Sequence, residues 1–457
     1  MKKKILFVLA VLLIPFLSFS KYLFAVGSGA TENASFSAKS LAQGDAVTAQ
    51  ADEPAAISYN PAGIVDLPGL QIQPSIAYIS TFTWYHSVVQ DSSRSSGTLA
   101  PVPTGYITLN PGEDLNNRVA FGIGMDTPFG LSNKYDSGHG AFRYTGWRNW
   151  FYMYSIKPVL AVKLLDWLSF GAGPVWYRIY DYGGMEAYPN RLIVAGSADG
   201  QLRVNMAGNR WAWQAGLLAK PHKMHQFGFY FRSPVDVNIK GLGKVEGSAF
   251  TAGGIIETGV KAKHAIPLNF TAAYAFKPND RLTTEVDFTF TRWSSFDRSI
   301  IDHNPTNVSA LDQIIINALG RSDKDYSNGF GVQFGSNYKL NEKLTLLGGS
   351  WFYWRVIPND HWIPAIPDSN HLGFGIGANY KITKWFTLDL SYNPLFVLPH
   401  RVENNISEAI GGRVDGNYFS FSQEFAISMT YHWDHLLDRF KKKEIEKQMA
   451  QEPKMTV

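Results

Sequence analysis

Two carboxylates and two histidines have the spacing closest to that of a catalytic or metal site. Glu285 and Asp287 stand two residues apart in RLTTEVDFTFTRW, which places both on one face of a strand and would suit an acid and a base. His222 and His225 flank the short segment HKMH, but no third metal ligand lies near them in the sequence. The chain has no GxSxG sequence of the kind that carries a serine nucleophile. We therefore predict neither a catalytic nor a metal site, although an active site assembled from distant strands stays open.

The first residues are typical of an exported protein. Three lysines precede an apolar run from Ile5 to about Phe19, and small residues follow. Because this run is shorter than the roughly 20 residues of a membrane-spanning helix, we interpret residues 1–25 as a signal peptide. The small residues favour cleavage after Ser20 or Ala25.

The composition argues against several classes of protein. No later apolar stretch has the length of a spanning helix, although 45% of the residues are hydrophobic. The chain has no cysteine, so an exported protein of 457 residues must be stable without disulfides, as a large closed sheet can be. The formal net charge of +4 is small and no concentrated basic face is evident, so we expect no nucleic-acid partner.

Alternating segments recur along the chain, and two kinds of connection separate them in strict alternation. The short connections are at 110–118, 164–167, 220–225, 277–280, 340–343 and 381–385. The long connections are at 83–98, 131–149, 182–209, 242–262, 297–327, 358–370 and 398–418. All short turns then lie at one end of the sheet, which is typical of bacterial outer-membrane barrels. The pattern predicts an all-β, transmembrane antiparallel β-barrel of about fourteen strands over residues 67–434.

The two faces of the strands support a membrane location. FAISMTYHW places Phe425, Ile427 and other bulky side chains on one face and small or polar ones on the other. The strand around Val286 places ionised Glu285 and Asp287 opposite its apolar face. A dry sandwich core would leave such carboxylates without water or partners, so we expect the bulky face to contact lipid.

The segments on either side of the barrel have different compositions. Residues 26–66 are rich in Ala and Ser, which suits either a linker or short helices packed inside the lumen as a hatch. Residues 435–457 continue beyond the last aromatic strand, and we expect a short periplasmic helix or a frayed tail there.

Several stretches resemble one known family in the same order. They are Asn60, Pro61, Ala62 and Gly63 in ISYNPAGIVDLPG, then FGIGMDTPFGL at 121–131, FYFRSPVDVNIKG at 229–241, FTRWSSF at 290–296 and AIPDSNHLGFGIGANY at 365–380. Together they resemble the long-chain fatty acid transporter (FadL, OmpP1 and TodX) family of Gram-negative outer membranes. The resemblance covers nearly the whole mature chain.

The resemblance implies a fourteen-strand barrel, closed by an N-terminal hatch, through which hydrophobic molecules diffuse inward without a cofactor. It implies capture among the outer loops, an apolar lumen pocket and lateral exit where the third strand bends. Gly122, Gly124 and Pro128 suit such a bend, because glycine permits unusual dihedral angles and proline lacks a ladder donor. The alternative is that these glycines admit bulky neighbours inside the barrel. Asn60 to Gly63 are expected to form a turn of the hatch.

The resemblance also implies contacts for a ligand head group. Arg178 in WYRIY and Lys324 in SDKDYSNGFG resemble the head-group contacts of the family. Lys157 and Arg232 are alternatives, and Glu285 and Asp287 are possible partners for them in a lumen salt-bridge ladder.

The expected function is passive uptake of long-chain fatty acids or other hydrophobic compounds. The alternatives are an aromatic-hydrocarbon channel of the same barrel type, an outer-membrane lipid hydrolase and a general diffusion porin with an open lumen. The expected partners are the hydrophobic ligand, outer-membrane lipid and lipopolysaccharide, and we expect a monomer. A mostly apolar pocket discriminates weakly between fatty acids and aromatic hydrocarbons, so both stay open.

Overall fold

Fourteen antiparallel strands pair in chain order, and the first strand pairs with the last. The computed structural model describes residues 31–34, 36–87, 92–95, 98–135, 142–190, 195–249, 254–296, 298–303, 308–319, 321–404 and 414–433. The barrel strands are β1 (Gly69–Ser87), β2 (Thr98–Asn110), β3 (Val119–Asp126 and Gly130–Lys134), β4 (Arg148–Leu165), β5 (Leu168–Tyr188), β6 (Gly200–His222), β7 (His225–Arg232 and Val235–Glu246), β8 (Ile255–Ile266 and Asn269–Phe276), β9 (Leu282–Thr291), β10 (Gly329–Lys339), β11 (Leu344–Tyr353), β12 (His371–Thr383), β13 (Phe386–Val402) and β14 (Gly416–Trp433). The register of β1 against β14 runs from Leu70 opposite Trp433 to Ser87 opposite Gly416, so the barrel is closed as predicted.

Short elements accompany the barrel. The helices are α1 (Ala38–Ala42), α2 (Ala56–Tyr59) and α3 (Ala310–Leu319), with 3-10 turns at Pro61–Asp66, Gly112–Leu115, Trp293–Ser295 and Asn359–His361. Two-residue or three-residue strands lie at Ser93–Arg94, Arg298–Ile300, Asp302–His303 and Arg321–Asp323. Within the described ranges, no helix has the length and apolar character to cross a bilayer. The predicted signal peptide and C-terminal tail lie outside the described residues.

The bulky face of the strands points outward. On β14, Phe425 is 50% exposed and Ile427 is 40% exposed, whereas Ala426 between them is 2% exposed. The same alternation on β6 places Trp211 and Trp213 outside. The prediction of a lipid-facing aromatic and aliphatic belt is therefore confirmed, and on the lipid-spanning part of β14 the inward residues are small or polar.

Four strands extend further from the short turns than the sequence predicts. Residues 182–209 and 242–262 are expected as loops, but β5 continues to Tyr188 and β7 continues to Glu246. Their neighbours β6 and β8 pair with them along the whole of these extensions. In the extensions of β7 and β8 the inner residues include Ile239 and Val260, while many of the outer residues are charged, although Leu242 and Ile255 also point outward. The expectation fails because the extensions rise above the lipid belt, where outward side chains need not be bulky.

The hatch lies inside the lumen and consists of short, Ala-rich elements. Ser37 caps α1 by accepting a hydrogen bond from the Ser40 backbone N–H at 3.0 Å. Asn60 caps the 3-10 turn that begins at Pro61, and its Oδ1 accepts from the Ala62 N–H at 3.2 Å. Nearly every described hatch residue is buried, so the open lumen of a general diffusion porin is absent from the described part of the chain.

Inward-facing glycines on the wall make room for the hatch. A β-carbon at any of them would overlap hatch atoms, and they are Gly122, Gly124, Gly171, Gly216, Gly228, Gly335, Gly349, Gly375 and Gly377. At Gly216 the overlap is with Asn60 Oδ1, and at Gly171 it is with the Pro61 backbone. The hatch backbone therefore approaches the wall more closely than any side chain would allow.

Carboxylates of β9 hold the backbone of the hatch. Glu285 accepts hydrogen bonds from the N–H groups of Ala49 at 2.6 Å and Gln50 at 3.0 Å. Asp287 accepts from the Thr48 N–H at 3.3 Å. These contacts supply the partners that buried carboxylates and buried backbone donors both require.

Replacing Gly216 by valine tests whether the close contact between the barrel wall and the hatch holds the hatch in place. The new side chain overlaps Asn60, and overpacking of this kind costs about 1–3 kcal/mol, so we expect the hatch to shift. The measurement is single-channel conductance and leakage of small polar solutes, both of which should rise.

The matched control is Gly259→Val, because no atom lies within 4 Å of a β-carbon built at Gly259. This variant should conduct like the unmodified protein. If Gly216→Val also does so, the close approach between wall and hatch is not what keeps the lumen closed.

Candidate functional site

The wall of the barrel is interrupted at β3. The pairing of β3 with β2 ends at Met125 opposite Gly105, and pairing with β4 runs to Asp126 opposite Ser155. After the break, Gly130–Lys134 pairs with β4 alone. Pro128 lies in the break and has no N–H to donate, so the sequence itself ends the ladder there.

Gly122 and Gly124 do not form the bend. Both lie in the regularly paired part of β3, before the break. Their missing side chains leave space for Ile57 of the hatch, which lies 2.8 Å from a β-carbon built at either position. The alternative that these glycines admit bulky neighbours therefore describes them, and the bend belongs to residues 127–129.

The N-terminal segment fills the interruption in the wall. Glu32 pairs antiparallel with Phe129. The Asn33 N–H donates to the Pro128 carbonyl at 2.8 Å, and the Gly130 N–H donates to the Thr31 carbonyl at 2.9 Å. The segment thus acts as an added strand on the inner side of the break, by the same backbone pairing that adds a peptide to an exposed sheet edge.

A buried ion pair lies beside the break. Lys157 Nζ contacts Asp126 Oδ2, and both side chains are almost fully buried. Ser58 of the hatch donates to the same Asp126 oxygen and accepts from Lys157 at 3.2 Å, while Ser155 donates to the other oxygen. Through Ser58, this cluster ties the hatch to β3 and β4 at the break. Removing one partner of such a buried ion pair costs about 3–5 kcal/mol.

A second buried ion pair holds the N-terminal segment. Arg232 Nη2 lies 2.8 Å from Glu32 Oε1. The Arg232 guanidinium also lies 4.9 Å from the centre of the Phe129 ring. One arginine therefore contacts the added segment and the residue of the break that pairs with it.

A small polar cavity adjoins these ion pairs. It measures about 60 Å³, and Asn33, Pro128, Lys157, Arg232 and Tyr353 are among the residues that line it. This volume holds a few water molecules and is too small for an alkyl chain. A larger ligand can occupy this space only if a neighbouring segment moves.

The outer half of the lumen is packed with aromatic and aliphatic side chains. Trp362 and Tyr418 have ring centres 4.1 Å apart near the loops, and Phe151 and His264 have ring centres 4.4 Å apart deeper in the barrel. The same cluster includes Phe129, which meets Trp293 edge to face at 6.2 Å. The apolar cluster therefore extends from the loops to the break in β3.

Lys324 lies in the long connection between β9 and β10. Its side chain is 7% exposed, and within the described residues it has no ion pair or hydrogen bond. Burial lowers the pKa of Lys324 to about 8. It stands two residues before Tyr326, whose ring packs on Phe296 at 5.3 Å in the apolar cluster.

Other predicted site residues lie elsewhere. Arg178 is on the outer face of β5 with Trp176 and Tyr180, because its neighbours Tyr177 and Ile179 face the lumen. The assignment of Arg178 as a head-group contact in the lumen is therefore wrong. The register of β5 determines that Arg178 faces outward, because moving Arg178 to the lumen would need a one-residue shift that also moves every other side chain of the strand to the opposite face.

The predicted partners of the lumen cations are also wrong. Glu285 and Asp287 bind hatch amides, whereas Lys157 pairs with Asp126 and Arg232 pairs with Glu32. Sequence reasoning missed Glu32, Asp126 and Phe129. One sequence feature could have pointed to Asp126: it directly precedes Thr127 and Pro128 in FGIGMDTPFGL, a stretch that resembles the family.

No group of three or more acidic or histidine side chains in the described ranges is arranged to hold a metal ion. His222 and His225 lie opposite each other at the β6–β7 turn. Their ring centres are 5.7 Å apart.

Known proteins resemble this chain in sequence and in fold. A family model described as "Outer membrane protein transport protein (OMPP1/FadL/TodX)" matches residues 18–433. Outer membrane protein P1 of Haemophilus influenzae is 23% identical over 353 residues, which are 70% of this chain and 71% of that protein. The 47 kDa outer membrane protein of Pasteurella multocida is 22% identical over 370 residues, covering 75% of this chain and 81% of that protein.

Solved structures share the barrel. A Pseudomonas aeruginosa FadL homologue superposes with a TM-score of 0.76 and 19% identity, covering 88% of this chain and 99% of that chain. The Pseudomonas putida toluene transporter TodX gives a TM-score of 0.67 and 16% identity, covering 89% of this chain and 100% of that chain. At these identities the likeness shows the fold, and the match to the family over most of the sequence shows that this outer-membrane chain belongs to the OMPP1/FadL/TodX family of transport proteins.

Proposed function

We propose that the chain carries long-chain fatty acids into the cell by passive diffusion, from the outer loops through the apolar cluster to the break in β3. The observation that supports this most strongly is the continuity of that cluster from the loops to Phe129. An apolar ligand gains about 0.8 kcal/mol per buried methylene, so a continuous apolar route suits it better than a watery pore. The proposal takes the protein to act as a monomer, since the proposed route lies within one closed barrel.

The geometry of the break supports lateral exit as part of the proposal. Residues Thr31–Asn33 occupy the interruption through backbone hydrogen bonds and through the Glu32–Arg232 pair. A ligand that enters the small cavity must displace this segment, because 60 Å³ does not accommodate an alkyl chain. The released opening faces lipid, where an apolar molecule can leave without crossing water.

Lys324 is the proposed contact for the ligand carboxylate. Among the described side chains Lys324 has no ionic partner. A buried cation needs such a partner, and the carboxylate of the ligand would supply one. Lys157 and Arg232 already have buried carboxylate partners, so a ligand would have to compete with these partners. Lys324 therefore favours ligands with an acidic head group.

Aromatic hydrocarbons are the second candidate. The apolar cluster is dominated by aromatic rings, and a neutral ligand would need no cation at all. The toluene transporters TodX of Pseudomonas putida and TbuX of Ralstonia pickettii share this fold. Competition binding of oleate against toluene distinguishes the candidates.

A carrier binds its ligand and releases it chemically unchanged. Saturable binding of oleate by the purified protein, with ester lipids left intact in the presence of calcium, supports the carrier. Release of fatty acid from a phospholipid would support the hydrolase instead.

Oleate affinity should fall as the pH rises through the pKa of Lys324. The free protein carries a protonated Lys324 below pH 8, and only that form attracts a carboxylate. Between pH 7 and pH 9 the protonated fraction drops about tenfold, so the dissociation constant of oleate should rise about tenfold. The dissociation constant is measured at each pH by titrating the protein with oleate and following its intrinsic fluorescence.

Lys324→Met should weaken oleate binding at pH 7 by about tenfold or more and abolish this pH dependence. Toluene affinity should stay constant in both proteins because toluene carries no charge. The matched control is Lys339→Met at a periplasmic turn, which should bind oleate normally. An unchanged pH profile in Lys324→Met would remove Lys324 from the site while leaving the transport proposal open.

A disulfide between positions 31 and 130 should block lateral exit. Thr31 and Gly130 are opposite each other across the break, within the separation that a disulfide spans, and the chain has no other cysteine. The oxidised double variant Thr31→Cys/Gly130→Cys should bind oleate but fail to deliver it into cells. Reductant should restore uptake.

The control is Thr387→Cys/Thr430→Cys, which joins β13 to β14 far from the break. Its oxidised form should transport normally. Uptake at the unmodified rate by a protein fully crosslinked between 31 and 130 would exclude exit through the break in β3.

A further inference from the structure

Three lysines form a cluster on the outer surface of β7 and β8. Lys240 of β7 stands directly opposite Lys261 of β8, and Lys263 lies two residues further along β8. All three side chains are exposed and alternate with buried residues such as Ile239 and Ala262. We call Lys240, Lys261 and Lys263 the lysine cluster.

The lysine cluster brings three positive charges together beside a single directly opposed carboxylate residue in the described pairings, Asp302. Like charges directly opposite each other on neighbouring strands are destabilising. Asp302 stands opposite Lys261 on the other neighbouring strand, whereas Asp236 stands opposite Ala265. Among the side chains that the structure describes, no carboxylate lies within ion-pair distance of Lys240 or Lys263. Lys244 on the same strand differs, because it pairs with Glu246 at 2.8 Å and Glu257 at 3.9 Å. The cluster therefore has the composition of an anion site.

The height of the lysine cluster places it at the outer headgroup level. Below it on the same strands lie the exposed rings of Phe229, Phe231 and Phe270, which belong to the lipid belt. Lys263 is thirteen residues from Phe276, and Lys240 is fifteen residues from His225, the periplasmic ends of their strands. With a strand tilt of roughly 40°, these lysines lie about 33–38 Å above the periplasmic ends, beyond an apolar band about 25 Å tall.

We propose that the lysine cluster binds a phosphate group of lipopolysaccharide in the outer leaflet. The outer leaflet of this membrane presents a phosphorylated glycolipid, and its phosphates lie just outside the acyl chains, at the height of these amines. Directly opposed β-carbons are about 4.5–5.5 Å apart and diagonal ones about 7–8 Å apart, so three flexible ammonium groups can reach one phosphate together. Bound phosphate would turn the repulsion between Lys240 and Lys261 into attraction.

The test is binding of fluorescently labelled lipopolysaccharide to the purified barrel in detergent. We compare the unmodified protein with Lys240→Gln/Lys261→Gln/Lys263→Gln, using intact lipopolysaccharide and the same material after removal of its phosphates. The triple variant should lose at least about tenfold in affinity for the intact lipid, since each lysine near an anionic lipid contributes several-fold. Dephosphorylated lipopolysaccharide should bind both proteins equally and weakly.

The matched control removes the same charge from the opposite end of the barrel. Lys339→Gln/Lys343→Gln/Lys381→Gln changes three exposed lysines at periplasmic turns and should keep full affinity. Heat-modifiable migration on gels verifies that each variant is folded, and oleate uptake should be unchanged in both. The proposal is overturned if the cluster variant binds intact lipopolysaccharide as tightly as the control, or if removing the phosphates leaves affinity unchanged.

Discussion

The backbone pairing of residues 31–33 with the break in β3 is the interaction on which the rest of the structure depends. In a bilayer there is no water to satisfy free N–H and C=O groups, so a spanning sheet must be closed. β3 breaks this rule at residues 127–129, where Pro128 cannot donate. The N-terminal segment restores closure by pairing with Pro128 and Gly130 through its own backbone. A separate segment of chain thus completes the wall at the point where β3 is interrupted.

Charge makes this closure specific. Glu32 brings a carboxylate to Arg232 of β7, and Asp126 at the end of the first part of β3 brings one to Lys157 of β4. Buried ion pairs therefore hold both the N-terminal segment and the strand that it completes. Buried pairs of this kind add little net stability but are costly to separate. The segment therefore has one preferred position, and the hatch, which joins the Asp126–Lys157 cluster through Ser58, is held in register with it.

The sequence was most informative where a pattern has a physical period. Alternation of bulky and small residues predicted the closed barrel and its lipid-facing side, because the strand period of two is enforced by the membrane. The same alternation in WYRIY indicates that Arg178 shares a face with Trp176 and Tyr180, and a resemblance to a relative led to the wrong face. Glu285 and Asp287 looked like partners for cations because sequence does not reveal backbone donors, which are what they bind. The pairing of Glu32 with Phe129 could not be predicted, since nothing local connects residues so far apart.

Hydrogen exchange at individual amides tests the central claim most directly. The amides of Asn33 and Gly130 make the closing hydrogen bonds, whereas those of Ala49 and Gln50 bind Glu285. With saturating oleate, the account predicts that protection is lost at Asn33 and Gly130 and retained at Ala49 and Gln50. If oleate leaves all four amides protected, or releases all four together, the N-terminal segment is not the piece of the wall that opens.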